Sequence, residues 1–214
     1  IKHTLCDYAL TPDVSIVDDQ FVQTLPKRLI AWSGFEALGH AIESYVSTMA
    51  TDFTRGWSLE AIKTIFANLK KSYDGDLDAR KQMHDAATIA GMAYSNAFLG
   101  LEHSIAHTVG STFDIPSGVS DAIALPQVIR FNSKRPEKLA MWPHYSVYRA
   151  KSDYADIARA IGLTGSSDDE LVEKLVQKII DLAESVGIKM AYKGYGVDKA
   201  EFDKKVDELA VEAY

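Results

Sequence analysis

The sequence predicts a mainly α-helical bundle domain that begins with a short β segment. Three observations support this fold class. Apolar residues recur every three or four positions through most of the 214 residues, which is the period of an amphipathic helix. Apolar residues alternate only near the start, from Leu5 to Val17, and alternation is the period of a strand. Glycine, proline and capping residues separate the periodic segments at helical lengths.

The helical pattern is expected, in chain order, over residues 26–45, 52–72, 77–98, 101–110, 119–131, 154–161, 168–186 and 199–213. The sequence leaves open whether the first helix breaks at Ser33-Gly34, and whether Asp52 or Thr54 caps the second. The third helix is rich in alanine, has few charges after Asp85, and is expected to be buried nearly all round. Residues 132–149 are interpreted as an irregular, packed connection.

The composition is that of a globular domain, with 47% hydrophobic and 25% charged residues. The net charge is −7 and the two signs are interleaved, which argues against nucleic acid or an anionic membrane as a partner. No apolar run approaches the roughly 20 residues that span a bilayer. The single cysteine, Cys6, cannot form an internal disulfide, so we expect a reducing, cytoplasmic location.

Two helical pairs carry the chemical information: Glu36 with His40, and His103 with His107. The members of each pair are four residues apart, which places their side chains on one helix face, one turn apart. Two such helices in contact would gather a carboxylate and up to three imidazoles, which is a ligand set for Zn²⁺ or Fe²⁺. Burying Glu36 alone would cost several kcal/mol, and a metal ion would offset that cost.

Several segments resemble the signatures of iron-containing (group III) alcohol dehydrogenases, and most closely the alcohol dehydrogenase part of bifunctional aldehyde–alcohol dehydrogenases. They are Asp7–Asp13, Gly34–Ser47, Met49–Arg55, Ala87–Ala93, Asn96–Gly100, Gly100–His107, Arg130–Asn132 and the stretch around Trp142-Pro143. The resemblance covers almost the entire chain.

The resemblance implies an enzyme of two domains, an α/β domain with most of the NAD(P) site and a helical domain with the metal. Residues 1–25 are expected to be a remnant of the first domain, and residues 26–214 to form the second. No glycine-rich segment for the pyrophosphate occurs in this sequence, so no cofactor-binding residue is assigned. NAD(H) is expected to bind only in the complete enzyme, which would need the missing N-terminal cofactor domain as a partner.

The resemblance also implies a ligand set of one aspartate and three histidines. The matching positions are Glu36, His40, His103 and Ser117, so two of the four depart from the family pattern. His107 matches a histidine near the nicotinamide and the alcohol oxygen, and it is the implied catalytic residue, in a proton-relay role. Glutamate adds a methylene and serine removes a strong ligand. Fe²⁺ or Zn²⁺ is therefore expected to bind weakly or not at all in this chain.

Other departures cluster near the same place: Gly39, Glu102, Thr108 and Asp121 stand where threonine, a small residue, lysine and asparagine are expected. The implied function is a metal- and NAD-dependent interconversion of a short-chain aldehyde and its primary alcohol, impaired in this chain. The alternative is a non-catalytic helical module that serves structure or assembly. The resemblance further implies a homo-oligomer and a small-molecule alcohol or aldehyde as substrate.

Overall fold

A computed structural model describes residues 7–135 and 148–213 of the chain, and within these ranges the chain is helical and contains no strand. The mainly α fold class is therefore confirmed. The helices are α1 (Lys27–Val46), α2 (Asp52–Asp74), α3 (Leu77–Ala97), α4 (Leu101–Phe113), α5 (Ser117–Asn132), α6 (Ala150–Ala160), α7 (Asp168–Ser185) and α8 (Lys199–Glu212). None of these described helices is both long and apolar enough to cross a membrane.

The short N-terminal β segment is not observed in the part that the structure describes. Residues 7–25 instead contain two 3₁₀ turns, Tyr8–Leu10 and Asp19–Val22. A strand needs a neighbouring strand for its backbone hydrogen bonds, and the described residues supply none. Leu5 and Cys6 lie outside the described residues, and the boundary between residues 25 and 26 stays a prediction.

The first helix, α1, is continuous, so no break occurs at Ser33-Gly34. Gly34 lies where α1 crosses α2, and a Cβ atom there would come within 2.4 Å of Leu69 Cδ1. Glycine at this position therefore lets the two helices pack closely.

The caps of α2 also differ from the expectation. Thr51, and neither Asp52 nor Thr54, is the N-cap residue, and its side chain accepts a hydrogen bond from the Thr54 backbone N–H. The Thr54 side chain in turn accepts a hydrogen bond from the Thr51 backbone N–H, which completes a capping box. Gly75, with a φ of 112°, ends the helix in the left-handed region.

The main core lies between α1, α2, α3, α5, α6 and α7. Its largest fully buried side chains are Phe35, Leu38, Ile42, Ile62, Ile65, Leu69, Leu125, Ile129, Tyr154, Ile157, Leu171 and Leu175. The expectation that α3 is buried all round is wrong, because Met92 is 46% exposed and Ala87 is also exposed. Only the stripe of α3 that includes Ala86, Ala90 and Ala93 is fully buried.

A second, smaller apolar cluster joins α4 and α5 to the C-terminal region. It consists of Val109, Ile115, Val119, Val197 and Leu209. Partly buried aromatic side chains, including Tyr192 and Phe202, pack against it. This cluster brings the 3₁₀ turn Tyr192–Tyr195 close to the helices that carry the predicted site.

Candidate metal centre

The start of α4 is held by Glu43, a buried residue of α1. The Glu43 carboxylate accepts hydrogen bonds from the backbone N–H groups of Gly100 and Glu102, both at 2.8 Å, and of His103 at 3.2 Å. These donors would otherwise be unsatisfied at a helix N-terminus, where the helix dipole also favours a negative charge. Glu43 thereby fixes the position of His103 relative to α1.

The structure brings together three of the histidines that the sequence singled out. The ring of His40 stacks on that of His103 with 4.6 Å between centroids, and His107 meets His103 edge-on at 5.8 Å. Tyr94 of α3 also stacks with the His40 ring, with 4.3 Å between centroids. The two helical pairs therefore meet between α1 and α4.

The other two predicted ligands are Glu36 and Ser117. Glu36 is half-buried one turn before His40 on α1, and its charge acts on the buried Asp121 of α5. Ser117 is the first residue of α5 and is also half-buried.

The ring of His103 is oriented by carboxylates. Its Nδ1 lies 3.1 Å from Glu43 Oε2, in hydrogen-bonding geometry, and a carboxylate can only accept, so Nδ1 carries a proton. Glu102 Oε2 is closer to Nδ1, at 2.6 Å, but forms an ionic contact without hydrogen-bonding geometry. Nε2 is buried and has no hydrogen-bond partner among the described residues. A metal-binding histidine commonly has one nitrogen held by a carboxylate and the other free for the ion, so His103 fits a metal ligand.

The protonation of the two stacked rings differs. Burial, helped by the nearby His103 and His107, lowers the pKa of His40 to about 3, so this ring is neutral at neutral pH. Burial alone would also lower the pKa of His103, but its contacts with Glu102 and Glu43 outweigh burial and raise it to about 10. A cation that binds His103 must therefore displace a proton.

Two buried acids face this group, and sequence reasoning recorded them only as departures from the family pattern. Glu102 and Asp121 are both fully buried. Burial is the main cause that raises the pKa of Glu102. Burial, together with the charge of Glu102, raises the pKa of Asp121 to about 10. The available signal was local, since each acid stands in an apolar helix segment without a lysine or arginine within one turn.

Unpaired polar atoms are concentrated here. Of nine buried side-chain polar atoms without a hydrogen-bond partner among the described residues, seven belong to this cluster. They are Glu102 Oε1 and Oε2, His103 Nε2, Ser120 Oγ, Asp121 Oδ1 and Oδ2, and Tyr192 Oη. Most of these atoms nevertheless have close polar neighbours: Glu102 Oε2 is in ionic contact with His103 Nδ1 at 2.6 Å, Glu102 interacts with Asp121, and Tyr192 interacts with Ser120. His103 Nε2 has no such neighbour among the described residues, so it is the atom of this group that is open to a ligand.

The family is decided by comparison with known proteins. The model for the C-terminal part of the Fe-containing alcohol dehydrogenase family matches residues 30–214. The chain belongs to this family. The resemblance seen in the sequence is thereby confirmed, and the helical bundle corresponds to the C-terminal domain of these alcohol dehydrogenases.

Relatives of this alcohol dehydrogenase domain agree with the assignment. Aldehyde-alcohol dehydrogenase 2 of Entamoeba histolytica is 47% identical over 213 residues, which cover 100% of this chain and 24% of that protein. NADPH-dependent butanol dehydrogenase of Clostridium saccharobutylicum is 44% identical, over 100% of this chain and 51% of that protein. The chain thus spans about a quarter to a half of the length of these relatives.

A solved structure shows the same fold. The iron-containing alcohol dehydrogenase of Thermococcus thioreducens superposes with a TM-score of 0.84 and 33% identity. The superposition covers 97% of this chain and 50% of that one.

Proposed function

We propose that this chain is the metal-binding domain of an NAD-dependent alcohol dehydrogenase that interconverts a short-chain aldehyde and its primary alcohol. One observation supports this proposal above the others. This chain belongs to an alcohol dehydrogenase family, and in it the rings of His40, His103 and His107 meet. The Nε2 atom of His103 is buried and has no hydrogen-bond partner among the described residues. The names of the relatives include aldehyde-alcohol and butanol dehydrogenases, which supports a small alcohol as the substrate class.

Glu36, His40 and His103 would hold the metal, with Ser117 at the position of a fourth ligand. Fe²⁺ or Zn²⁺ bound there would supply Lewis-acid chemistry toward an alcohol or carbonyl oxygen. His40 contributes a ring that burial keeps neutral, and Glu43 orients His103 through Nδ1. His107, edge-on to His103, would carry the proton between the substrate oxygen and solvent. NAD(H) and the domain that binds it would come from outside the 214 residues.

The substitutions at Ser117 and Glu36 lead us to propose weak metal binding and impaired activity in this chain. Ser117→His restores an imidazole, and Glu36→Asp added to it shortens the carboxylate arm. We expect metal affinity to rise with the first change and again with the second, because each restores a ligand of the family pattern. Calorimetric titration with Zn²⁺, or with Fe²⁺ under anaerobic conditions, measures this order.

A matched control is Ser111→His, which adds an imidazole at an exposed position of α4. Ser111→His should leave the affinity of the proposed metal site for Zn²⁺ or Fe²⁺ unchanged. Equal affinities for the unchanged chain, Ser117→His and the double variant would contradict the placement of Ser117 beside the ion.

A non-catalytic structural or assembly module is the second candidate, and the loss of a family ligand at Ser117 together with the change at Glu36 favours it. Stoichiometric metal together with aldehyde-dependent oxidation of NADH would exclude this candidate. A homo-oligomeric state and a cytoplasmic location stay predictions.

A further inference from the structure

We infer that Tyr94 is a positioning residue of the candidate metal centre, because its ring holds the His40 imidazole in the orientation in which that imidazole stacks on His103. The inference rests on the proposed function in that His40 is taken to be a metal ligand. It adds a residue of α3 to a site whose other residues come from α1, α4 and α5. The sequence patterns that predicted the site did not include this tyrosine.

The first argument is the geometry of the ring stack. The centroids of the Tyr94 and His40 rings are 4.3 Å apart, with 26° between the planes, and those of His40 and His103 are 4.6 Å apart, with 20° between the planes. One face of an imidazole has room for only one stacked ring at such distances, so Tyr94 and His103 cover opposite faces of His40. A rotation of the His40 ring would drive it into one of these neighbours.

The second argument is that the two histidines are held in different ways. Glu43 orients the His103 ring through a hydrogen bond at Nδ1, which is the common arrangement for a metal-binding histidine. The His40 ring has no such hydrogen bond among the described residues, and its contacts are the two stacked rings. The last side-chain torsion of histidine has only a broad preference of its own. Stacking therefore does for His40 what the carboxylate does for His103.

The third argument is that α3 presents Tyr94 from a fixed position. Helix α3 packs against both α1 and α2, and its buried stripe includes Ala90, Ala93 and Ala97, whose short side chains allow a close approach. Tyr94 follows Ala93 in the last turn of α3. Its backbone carbonyl accepts a hydrogen bond from the Phe98 N–H at 2.7 Å, which closes the helix end. The tyrosine backbone is thus held while its half-buried ring extends to His40.

The contact is made by the face of the tyrosine ring, so the flat aromatic face is the property that matters. Tyr94→Phe keeps this face and should preserve the position of His40. Tyr94→Leu keeps an apolar side chain but removes the face, and should release the His40 ring. Tyr94→Met, which is flexible and also has no flat face, gives the same test if Tyr94→Leu does not fold.

The first readout is the proton NMR spectrum of the full chain in EDTA, which requires no metal. A proton above the face of an aromatic ring is shielded, so loss of the Tyr94 ring should move the His40 ring-proton signals downfield. We expect this shift in Tyr94→Leu and not in Tyr94→Phe. The spectrum of His40→Gln, which lacks these signals, assigns them.

The second readout is the affinity for Zn²⁺, measured by calorimetric titration. We expect Tyr94→Leu to weaken binding by the ~10–100-fold typical of changes to groups that orient a ligand. Tyr94→Phe should bind as the unchanged chain does. The matched control is Tyr73→Leu, which removes another half-buried tyrosine, on α2, whose ring lies 5.1 Å from Lys27 Nζ and not against a histidine. Tyr73→Leu should leave both the His40 signals and the Zn²⁺ affinity unchanged, even where it lowers the unfolding temperature.

The outcomes separate this inference from the proposed function. Unchanged His40 signals in folded Tyr94→Leu or Tyr94→Met would overturn the inference. Shifted signals with unchanged Zn²⁺ affinity would also overturn it and would leave the proposed metal site standing. Absence of Zn²⁺ binding in the unchanged chain would contradict the proposed function, whereas a shift in Tyr94→Leu that Tyr94→Phe does not show would still support the role of Tyr94 in holding the His40 ring.

Discussion

The main core around α1, α2 and α7 and the polar cluster between α4 and α5 are both buried. They differ in the partners that their polar side chains have. In the main core, the hydroxyls of Ser44 and Ser58 hydrogen-bond each other at 2.8 Å. At the edge of the core, Arg55 donates two hydrogen bonds to Asp153, at 3.1 and 2.6 Å. In the cluster, two buried acids lie against each other: Glu102 interacts with Asp121, and Glu102 Oε2 lies 2.6 Å from His103 Nδ1.

This difference separates the parts of the domain that stabilise the fold from the part that serves chemistry. Paired polar groups cost little when they are buried, so the core can be stable by itself. Two acids buried side by side are less favourable, and burial accordingly raises the pKa of both Glu102 and Asp121. Glu43 connects the two regions, since it extends from α1 to the first turn of α4.

The largest effect expected in the core is that of Leu69→Ala. Leu69 is fully buried where α2 packs against Gly34, and its truncation leaves a cavity, so we expect a loss of about 2–5 kcal/mol in the free energy of unfolding. Metal affinity should not change. Urea unfolding and calorimetry measure the two quantities, with the exposed Leu77→Ala as control. A parallel loss of metal affinity in the folded variant would show that the two regions are not independent.

Glu43→Gln should have an intermediate effect that reaches both regions. An amide group cannot accept on its nitrogen side, and the negative charge at the start of α4 is lost, so we expect about 2 kcal/mol of destabilisation. Because Glu43 also orients His103, metal affinity should fall ~10–100-fold.

Glu60→Gln, which changes an exposed acid of α2, is the control for Glu43→Gln and should alter neither quantity. Unchanged metal binding in Glu43→Gln would mean that the orientation of His103 does not depend on this carboxylate.

The third effect concerns pH and is confined to acidic conditions. Burial lowers the pKa of His40 in the folded chain to about 3, from the ordinary histidine value of 6.5. Its stability contribution is therefore present above pH 6.5 and is lost as the pH falls toward 3, since the unfolded chain binds a proton that the folded chain does not. The loss amounts to at most about 1.4 kcal/mol per pH unit.

His40→Gln removes this titration, so in EDTA its stability should fall less steeply below pH 6.5 than that of the unchanged chain. Chemical unfolding at a series of pH values gives both curves. Parallel curves would show that the fold does not hold His40 neutral.

Much of the helical framework could be predicted from the sequence. The predicted segment 168–186 agrees with α7 (Asp168–Ser185), and 199–213 agrees with α8 (Lys199–Glu212), because their periodicity and caps are local signals. The errors fall where non-local packing decides. The start of the chain alternates like a strand, but no described neighbour pairs with it. Helix α3 is rich in alanine with few charges after Asp85, yet only one stripe of it is buried.

The sequence by itself determined most of the helices and the two pairs, Glu36 with His40 and His103 with His107, because these depend on residues within one or two helical turns. It also determined the family, through segments that resemble the family's signatures. Only the tertiary structure decided that Glu102 and Asp121, from different helices, are buried together, and that Glu43 is occupied by backbone donors. Burial and pairing are properties of residues distant in the chain. They depend on how helices pack, as at Gly39, where the missing side chain leaves room for the Glu102 carboxylate and the His103 ring.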